Sequence, residues 1–340
     1  MGAATDAGSS GSEERNVKRL TSKLIVIALL AGVGTTRAAA AGWEQRAPLP
    51  VPNGGFVAAA LGDRIVIAGG TTWDGDIKRW LDRIWSYDPM TDRWHEIGRL
   101  PAALAYPASA QVGDTLWWAG GSSGETTHRA LWTLGGDLAP RLVSRLTEGF
   151  VYAAAAAVGL ELHVVGGTDD QAALDRVSRR FRSIDLKTGR STELPSYPEP
   201  GFTTGTAIAA GARVLVFGGA RWDATARTVV NHASAHAYDT RTRQWSALPP
   251  LPRPNRGITA ITLDARRIYL AGGYEGGDPG FVSHALIFNP ETPGYRPSTP
   301  LPYAGMVTLV KLGNWVYCLG GEDRKRHRSA AVHRIAADQL

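Results

Sequence analysis

The 340-residue sequence has one cysteine, three methionines and eight histidines. A lone thiol, Cys318, excludes an intramolecular disulfide. Its place in the apolar run Trp315-Val316-Tyr317-Cys318-Leu319 marks it as a buried small hydrophobe. The histidines are scattered, so no metal-ligand cluster is expected. His232 and His236 lie four apart in the run into an apolar segment and read as structural or exposed side chains. There is no Gly-x-Ser-x-Gly elbow and no glycine loop built to cradle phosphate, which leaves nucleophilic acyl chemistry without support. No apolar run approaches the ~20 residues needed to span a bilayer. No Lys/Arg cluster interleaves with aromatics along one element, so nucleic acid is not an expected partner.

The charge is mild once the N-terminus is set aside. Arg15, Lys18, Arg19 and Lys23 precede the apolar run 24–33, and Ala38-Ala39-Ala40-Ala41 follows. A basic region, a short apolar run and small residues make a secretory signal peptide, with an uncleaved anchor as the alternative. The expected division is therefore a signal over 1–41 and one domain over 42–340, with cleavage near Ala41. The protein is expected to be secreted or periplasmic, with no stable membrane association after cleavage. Residues 1–41 hold five basic and three acidic side chains, which leaves 32 against 28 in the remainder, a net of +4.

What is present is glycine (40) and tryptophan (11), and they recur. Gly-Gly pairs that close an apolar run occur six times, at Gly69, Gly120, Gly166, Gly218, Gly272 and Gly320, spaced 51, 46, 52, 54 and 48 residues apart. A self-similar period near 50 residues is that of kelch repeats, which build propeller blades. The sequence therefore predicts an all-β, six-bladed kelch-type β-propeller.

Each Gly-Gly pair ends a short strand, and turn signals such as Leu61-Gly62-Asp63 and Leu312-Gly313-Asn314 precede it. Before each turn lies a strand rich in small residues, suited to the crowded axis. The glycines leave room for close backbone approach. A third strand follows, then a fourth that carries Trp94, Trp245 or, at the start, Trp43. These tryptophans read as packing between blades. The repeat begins on a fourth strand (43–47) and ends on a third (330–335), so the first should pair with the last and close the ring.

Antiparallel order places two loop sets on one face, and any ligand site belongs there. The loops after Gly-Gly carry Trp73, Asp74, Lys78, Trp80, Trp222, Tyr274, Glu275, Glu322 and Arg328. The loops into the first strand carry Phe56, Tyr106, Phe202, Arg256 and Tyr303.

Three stretches carry a closer likeness. Gly321-Glu322 is followed by a five-residue loop, Arg328-Ser329 and the apolar Ala331-Val332. Gly54-Gly55-Phe56 leads to Ile67-Ala68-Gly69-Gly70 and then Trp80-Leu81-Asp82. Leu104-Ala105-Tyr106 precedes the next Gly-Gly strand. The chain thereby resembles the kelch-type sialic acid mutarotases (N-acetylneuraminate epimerases), in a cyclically permuted form. Two positions depart from that pattern: Leu81 stands where the family has His, and Pro107 where it has Gly.

The resemblance implies an isomerase that interconverts the anomers of sialic acid by acid–base ring opening, with an anionic sugar as partner and neither cofactor nor metal. It implies Glu322 as the proton-transfer residue and Arg328 as the carboxylate anchor, with Trp73, Trp80, Tyr106, Arg256 and Tyr303 around the substrate. On the residues alone, Glu322 and Arg328 also read as a solvated polar loop. For Trp73, Trp80 and Trp222, sugar stacking competes with packing between loops. The alternative function is a non-catalytic kelch propeller that binds a protein or glycan. Propellers host many unrelated functions, so fold does not decide between them.

Overall fold

The computed structural model describes residues 42–278 and 280–340. The signal-peptide reading of 1–41 falls outside the described residues. Among those described, the regular structure is β-strand, with two short 3-10 turns at Leu174–Arg176 and Ala337–Gln339.

Six four-stranded antiparallel sheets form the blades. In blade 1 the strands are Val57–Leu61, Arg64–Ala68, Arg83–Asp88 and Arg93–Arg99. The same order repeats from Ala108 in blade 2, Ala154 in blade 3, Thr206 in blade 4, Thr259 in blade 5 and Met306 in blade 6. Blade 6 borrows its outer strand from the N-terminal end. Glu44–Arg46 pairs antiparallel with Val332–Ala336, matching Glu44 to Arg334 and Arg46 to Val332. This is the expected closure, one residue shorter at each end of the N-terminal strand. First strands of successive blades touch all round the ring, including blade 6 against blade 1.

The core is divided among the six seams between blades, each with its own apolar cluster. Burying one Val, Leu or Ile side chain contributes about 1.5–3 kcal/mol, so each seam is a substantial interface. Ring side chains on the fourth strands staple the seams by donating to a linker carbonyl of the preceding blade. Trp94 Nε1 donates to Ala47 O (3.1 Å), Trp245 Nε1 to Pro195 O (2.7 Å) and Trp43 Nε1 to Pro300 O (2.7 Å). In blade 5 the Tyr295 hydroxyl does this to Pro249 O at 2.8 Å. The packing role read for the tryptophans is what the structure shows.

The repeated Gly-Gly has a second use. The N–H of the second glycine of each pair donates across the seam to the linker of the next blade. Examples are Gly70 N to Leu104 O, Gly121 N to Phe150 O, Gly219 N to Asn255 O and Gly321 N to Asn53 O, all at 2.7 Å. Gly70 has φ +103°, and a Cβ there would lie 1.9 Å from Asn53 Oδ1, so no larger residue fits.

Two connections expected as plain loops are β-ribbons. Thr71–Asp74 pairs with Ile77–Trp80 above blade 1, and Ala220–Asp223 with Thr228–Asn231 above blade 4. Their residues alternate Thr, Val, Ile and Trp, which suits a short two-stranded ribbon.

Candidate functional site

On the Gly-Gly face the axis opens into a cavity of about 390 Å³. The entry of each first strand reaches it, through the equivalent residues Gly55, Tyr106, Tyr152, Thr204, Gly257 and Met306. These positions are laced together by backbone hydrogen bonds, Tyr106 N to Gly55 O (2.8 Å), Tyr152 N to Tyr106 O (3.1 Å) and Thr204 N to Tyr152 O (3.0 Å). Tyr106, Tyr152 and Thr204 take left-handed φ values of 57°, 58° and 50°. That conformation costs a side-chain-bearing residue on the order of 1–2 kcal/mol, and the lacing holds it in place.

Arg328 forms the cavity wall. It is 5% exposed. Its Nη1 lies 2.8 Å from Glu322 Oε2, its Nη2 donates to the Tyr106 hydroxyl at 3.0 Å and its Nε to Thr71 Oγ1 at 3.2 Å. Nη1 also donates to His327 O at 3.2 Å. Gly54 makes room for this side chain, since a Cβ there would lie 2.7 Å from Arg328 Cδ. Asp323, next to Glu322, turns the other way and meets His327 Nδ1 at 2.5 Å, as alternation along an extended segment requires.

Lys78 is the second cation. Its Nζ stands 4.7 Å from the Tyr106 ring centroid and 5.0 Å from that of Trp80. It makes no ion pair among the described residues; its neighbours are those rings and the Tyr106 hydroxyl. Burial alone would raise the Tyr106 hydroxyl, but the Arg328 and Lys78 charges outweigh it and hold the group below its usual value. Burial works against the Arg328 charge, yet Tyr106 and Glu322 outweigh it and hold the guanidinium above its usual value. The Tyr152 ring packs 4.7 Å from Tyr106, and burial pushes its hydroxyl up. Trp73 Nε1 and Thr204 Oγ1 are buried at the cavity wall without a hydrogen-bond partner.

Of the expected site residues, Trp73, Tyr106, Glu322 and Arg328 converge on this cavity. Trp80, Arg256 and Tyr303 do not line it. Trp80 lies against Gly124 of the blade 2 loop and Lys78. Arg256 is one residue short of the axial position held by Gly257, and it lies over the Tyr274 ring at 4.5 Å. Tyr303 is three residues short of Met306, the axial position in blade 6. Its hydroxyl donates into the blade 6 seam, to Gly320 O at 2.7 Å. Phe56 and Phe202 are buried in seam clusters. Tyr152 and Thr204 belong to the cavity without having been singled out, and Lys78, expected only as a loop residue of this face, lines it as well. Aligning the six first-strand entries position by position would have found Tyr152 and Thr204. Lys78 depends on the ribbon, which the repeat does not announce.

Cys318 is fully buried, and burial pushes its thiol up to about 12. Among the described residues, no three His, Cys, Asp or Glu are placed to hold a metal ion, and no helix is long and apolar enough to cross a membrane.

The kelch motif matches residues 52–101. Over 296 residues the chain is 26% identical to the kelch-like protein terF of Aspergillus terreus, covering 84% of this chain and 53% of that protein. Over 283 residues it is 24% identical to kelch-like protein 25 of Homo sapiens, covering 79% of this chain and 44% of that protein. Over 270 residues it is 24% identical to the spermatocyte protein spe-26 of Caenorhabditis elegans, covering 77% and 36%. The chain thus spans about half or less of the length of these relatives. Two of them carry the names of kelch-like proteins and none that of a sugar isomerase, which overturns the expectation of an isomerase. Nor do they support a small carbohydrate as partner. The catalytic roles implied for Glu322 and Arg328 go with it, and the pair stands as the ion pair that shapes the cavity wall.

Proposed function

We propose that this kelch-type propeller is a non-catalytic binding module that seats an acidic segment of a partner protein over the axial cavity. The observation that carries the reading is Lys78, a cation at the cavity wall held between two rings and paired with no carboxylate among the described residues. Glu322 is already engaged by Arg328, so the lining presents a net positive charge to an incoming group. A carboxylate from a partner would complete Lys78 and lie beside the lowered Tyr106 hydroxyl. The similarity to kelch-like proteins supports a binding role over a chemical one. Export, read from the N-terminal segment, is part of the same proposal and would place the partner outside the cytoplasm.

The test is a selection of displayed random linear peptides against the full chain, followed by anisotropy titrations of the peptides recovered. Acidic sequences should dominate, and Asp→Asn or Glu→Gln in them should abolish binding. A hydrogen bond to a charged group contributes about 1.5–3 kcal/mol, so Lys78→Met should weaken binding about 10- to 150-fold. Recovery of neutral peptides, or equal affinity for the Lys78→Met variant, sinks the reading.

A further inference from the structure

One register position differs among the blades in a way that points to a second site. It is the second-strand residue two before the Gly-Gly pair, together with the third-strand residue opposite it, both facing the preceding blade. The pairs are Ile67 with Trp85, Trp118 with Trp132, Val164 with Arg182, Val216 with His236, Leu270 with Leu286 and Cys318 with His333. In five blades the third-strand residue is a ring or a guanidinium that fills the seam. Trp132 stacks on Trp118 with centroids 6.3 Å apart and planes at 7°. Arg182 meets Glu148. His236 stands edge-on to Tyr197 at 5.2 Å, and His333 lies 5.9 Å from Tyr303. Only in blade 5 are both residues leucine.

The consequence is measurable. The slot at the tryptophan pair is about 50 Å³, whereas the one at the leucine pair, between blades 4 and 5, is about 330 Å³. Leu251, Ile258, Leu270 and Leu286 wall it, and Pro297 of the outermost strand brings it to the rim. One end is polar. Glu275 Oε2 lies 3.4 Å from Arg253 Nη1, and Glu275 Oε1 lies 3.5 Å from His284 Nδ1. Arg253 and His284 are both well exposed, so the carboxylate stands at the mouth.

We propose that this slot is a binding site for an indole-sized aromatic side chain of a partner protein, separate from the axial cavity. The related slot in blade 2 shows that the seam geometry accepts an indole when the chain supplies one. The blade 5 seam keeps Leu251 where blade 2 has Leu100 and carries leucine in place of both stacked rings. An apolar space of about 150 Å³ already takes up a benzene-sized guest, and the slot at about 330 Å³ has room for an indole. An indole entering from the rim would bury its face on the leucines and direct its N–H to Glu275, the acceptor at the mouth. This inference is independent of the acidic segment over the axis, because no residue is shared between the two linings.

The test titrates free indole and N-acetyltryptophanamide into the full chain, followed by NMR or calorimetry. Both should bind saturably, and Leu286→Trp should weaken both by at least about tenfold while raising the thermal midpoint, since it fills the void. If Leu286→Trp does not fold, Leu286→Phe serves the same comparison. No saturable binding of indole to the wild-type chain overturns the site. Binding of indole but not of N-acetyltryptophanamide overturns the side-chain occupant and leaves a pocket for a free aromatic molecule. Equal affinity in a folded Leu286 variant places the binding elsewhere and also overturns the proposal.

Discussion

The two ends of the propeller axis differ in the size of the side chains that line them. On the Gly-Gly face, Arg328, Lys78, Tyr106 and Tyr152 crowd a polar cavity of about 390 Å³. Further along, the first strands line a channel of about 350 Å³ with Ala58, Ala110, Ala156, Ala209 and their neighbours. Both ends are built from the same six strands. The difference is that each first strand near the axis is packed between two others, which favours small side chains such as alanine there. A loop at the strand end has no such limit. Chemistry therefore collects where the chain leaves the sheet, and packing dictates the rest.

The largest way to break this contrast is to remove the charge at the mouth. Arg328→Met leaves Glu322 facing a cavity wall with no counter-charge and Tyr106 without its donor. Loss of one partner from a buried pair costs about 3–5 kcal/mol, and the partly exposed Glu322 puts this loss at the lower end of that range. Urea unfolding should show a loss of that order, and the double variant Arg328→Met, Glu322→Met should recover most of it. Unchanged stability in the single variant would show that the pair is not part of the fold.

Acid should be the next largest effect, and it also acts on the Gly-Gly face. His232 sits where the blade 4 ribbon returns to the sheet, and its imidazole is pushed down to about 4, chiefly by burial. Its folded value lies below the ~6.5 of an unfolded chain, so the unfolded chain takes up the proton first. Stability is then full above about pH 6.5 and falls as pH drops towards 4, by up to about 3 kcal/mol from this residue. His163 and His236 are lowered by burial as well and act in the same direction. The urea midpoint measured at pH 7 and at pH 4.5 should show the fall, and His232→Asn should flatten it.

The smallest effect sharpens the contrast from the channel end. Ala156 is 4% exposed in the seam between blades 3 and 4. Ala156→Leu forces extra methylenes into a packed wall, which costs about 1–3 kcal/mol. Its thermal midpoint should fall while peptide binding at the mouth stays at the wild-type level. A drop in both would mean that channel and mouth are one mechanical unit.

Much of this architecture could be read from the chain. The six Gly-Gly strands gave blade number and strand order because each glycine pair serves one cross-seam hydrogen bond, a local requirement with a local signature. The strand at Glu44–Arg46 was placed by counting, since the repeat begins on a fourth strand and the last blade stops at its third. Arg256 and Tyr303 were misplaced because an offset of one residue for Arg256 and three for Tyr303 within a linker turns the side chain from the axis onto a neighbouring ring or into the seam. Nothing in either stretch marks which residue reaches the axis. Lys78 was legible as a residue of the Gly-Gly face, but its place at the cavity wall depends on the ribbon it sits in.

The sequence by itself therefore determined the repeat, the ring and the face that carries long polar side chains. All of these follow from short-range patterns repeated six times, so each repeat reinforces the others. Only the tertiary structure decided that residues as distant in sequence as Lys78, Tyr106, Glu322 and Arg328 share one cavity, and that Leu286 opens a slot where Trp132 closes one. Those outcomes depend on what the neighbouring blade places across the seam, and no stretch of a single blade contains that information.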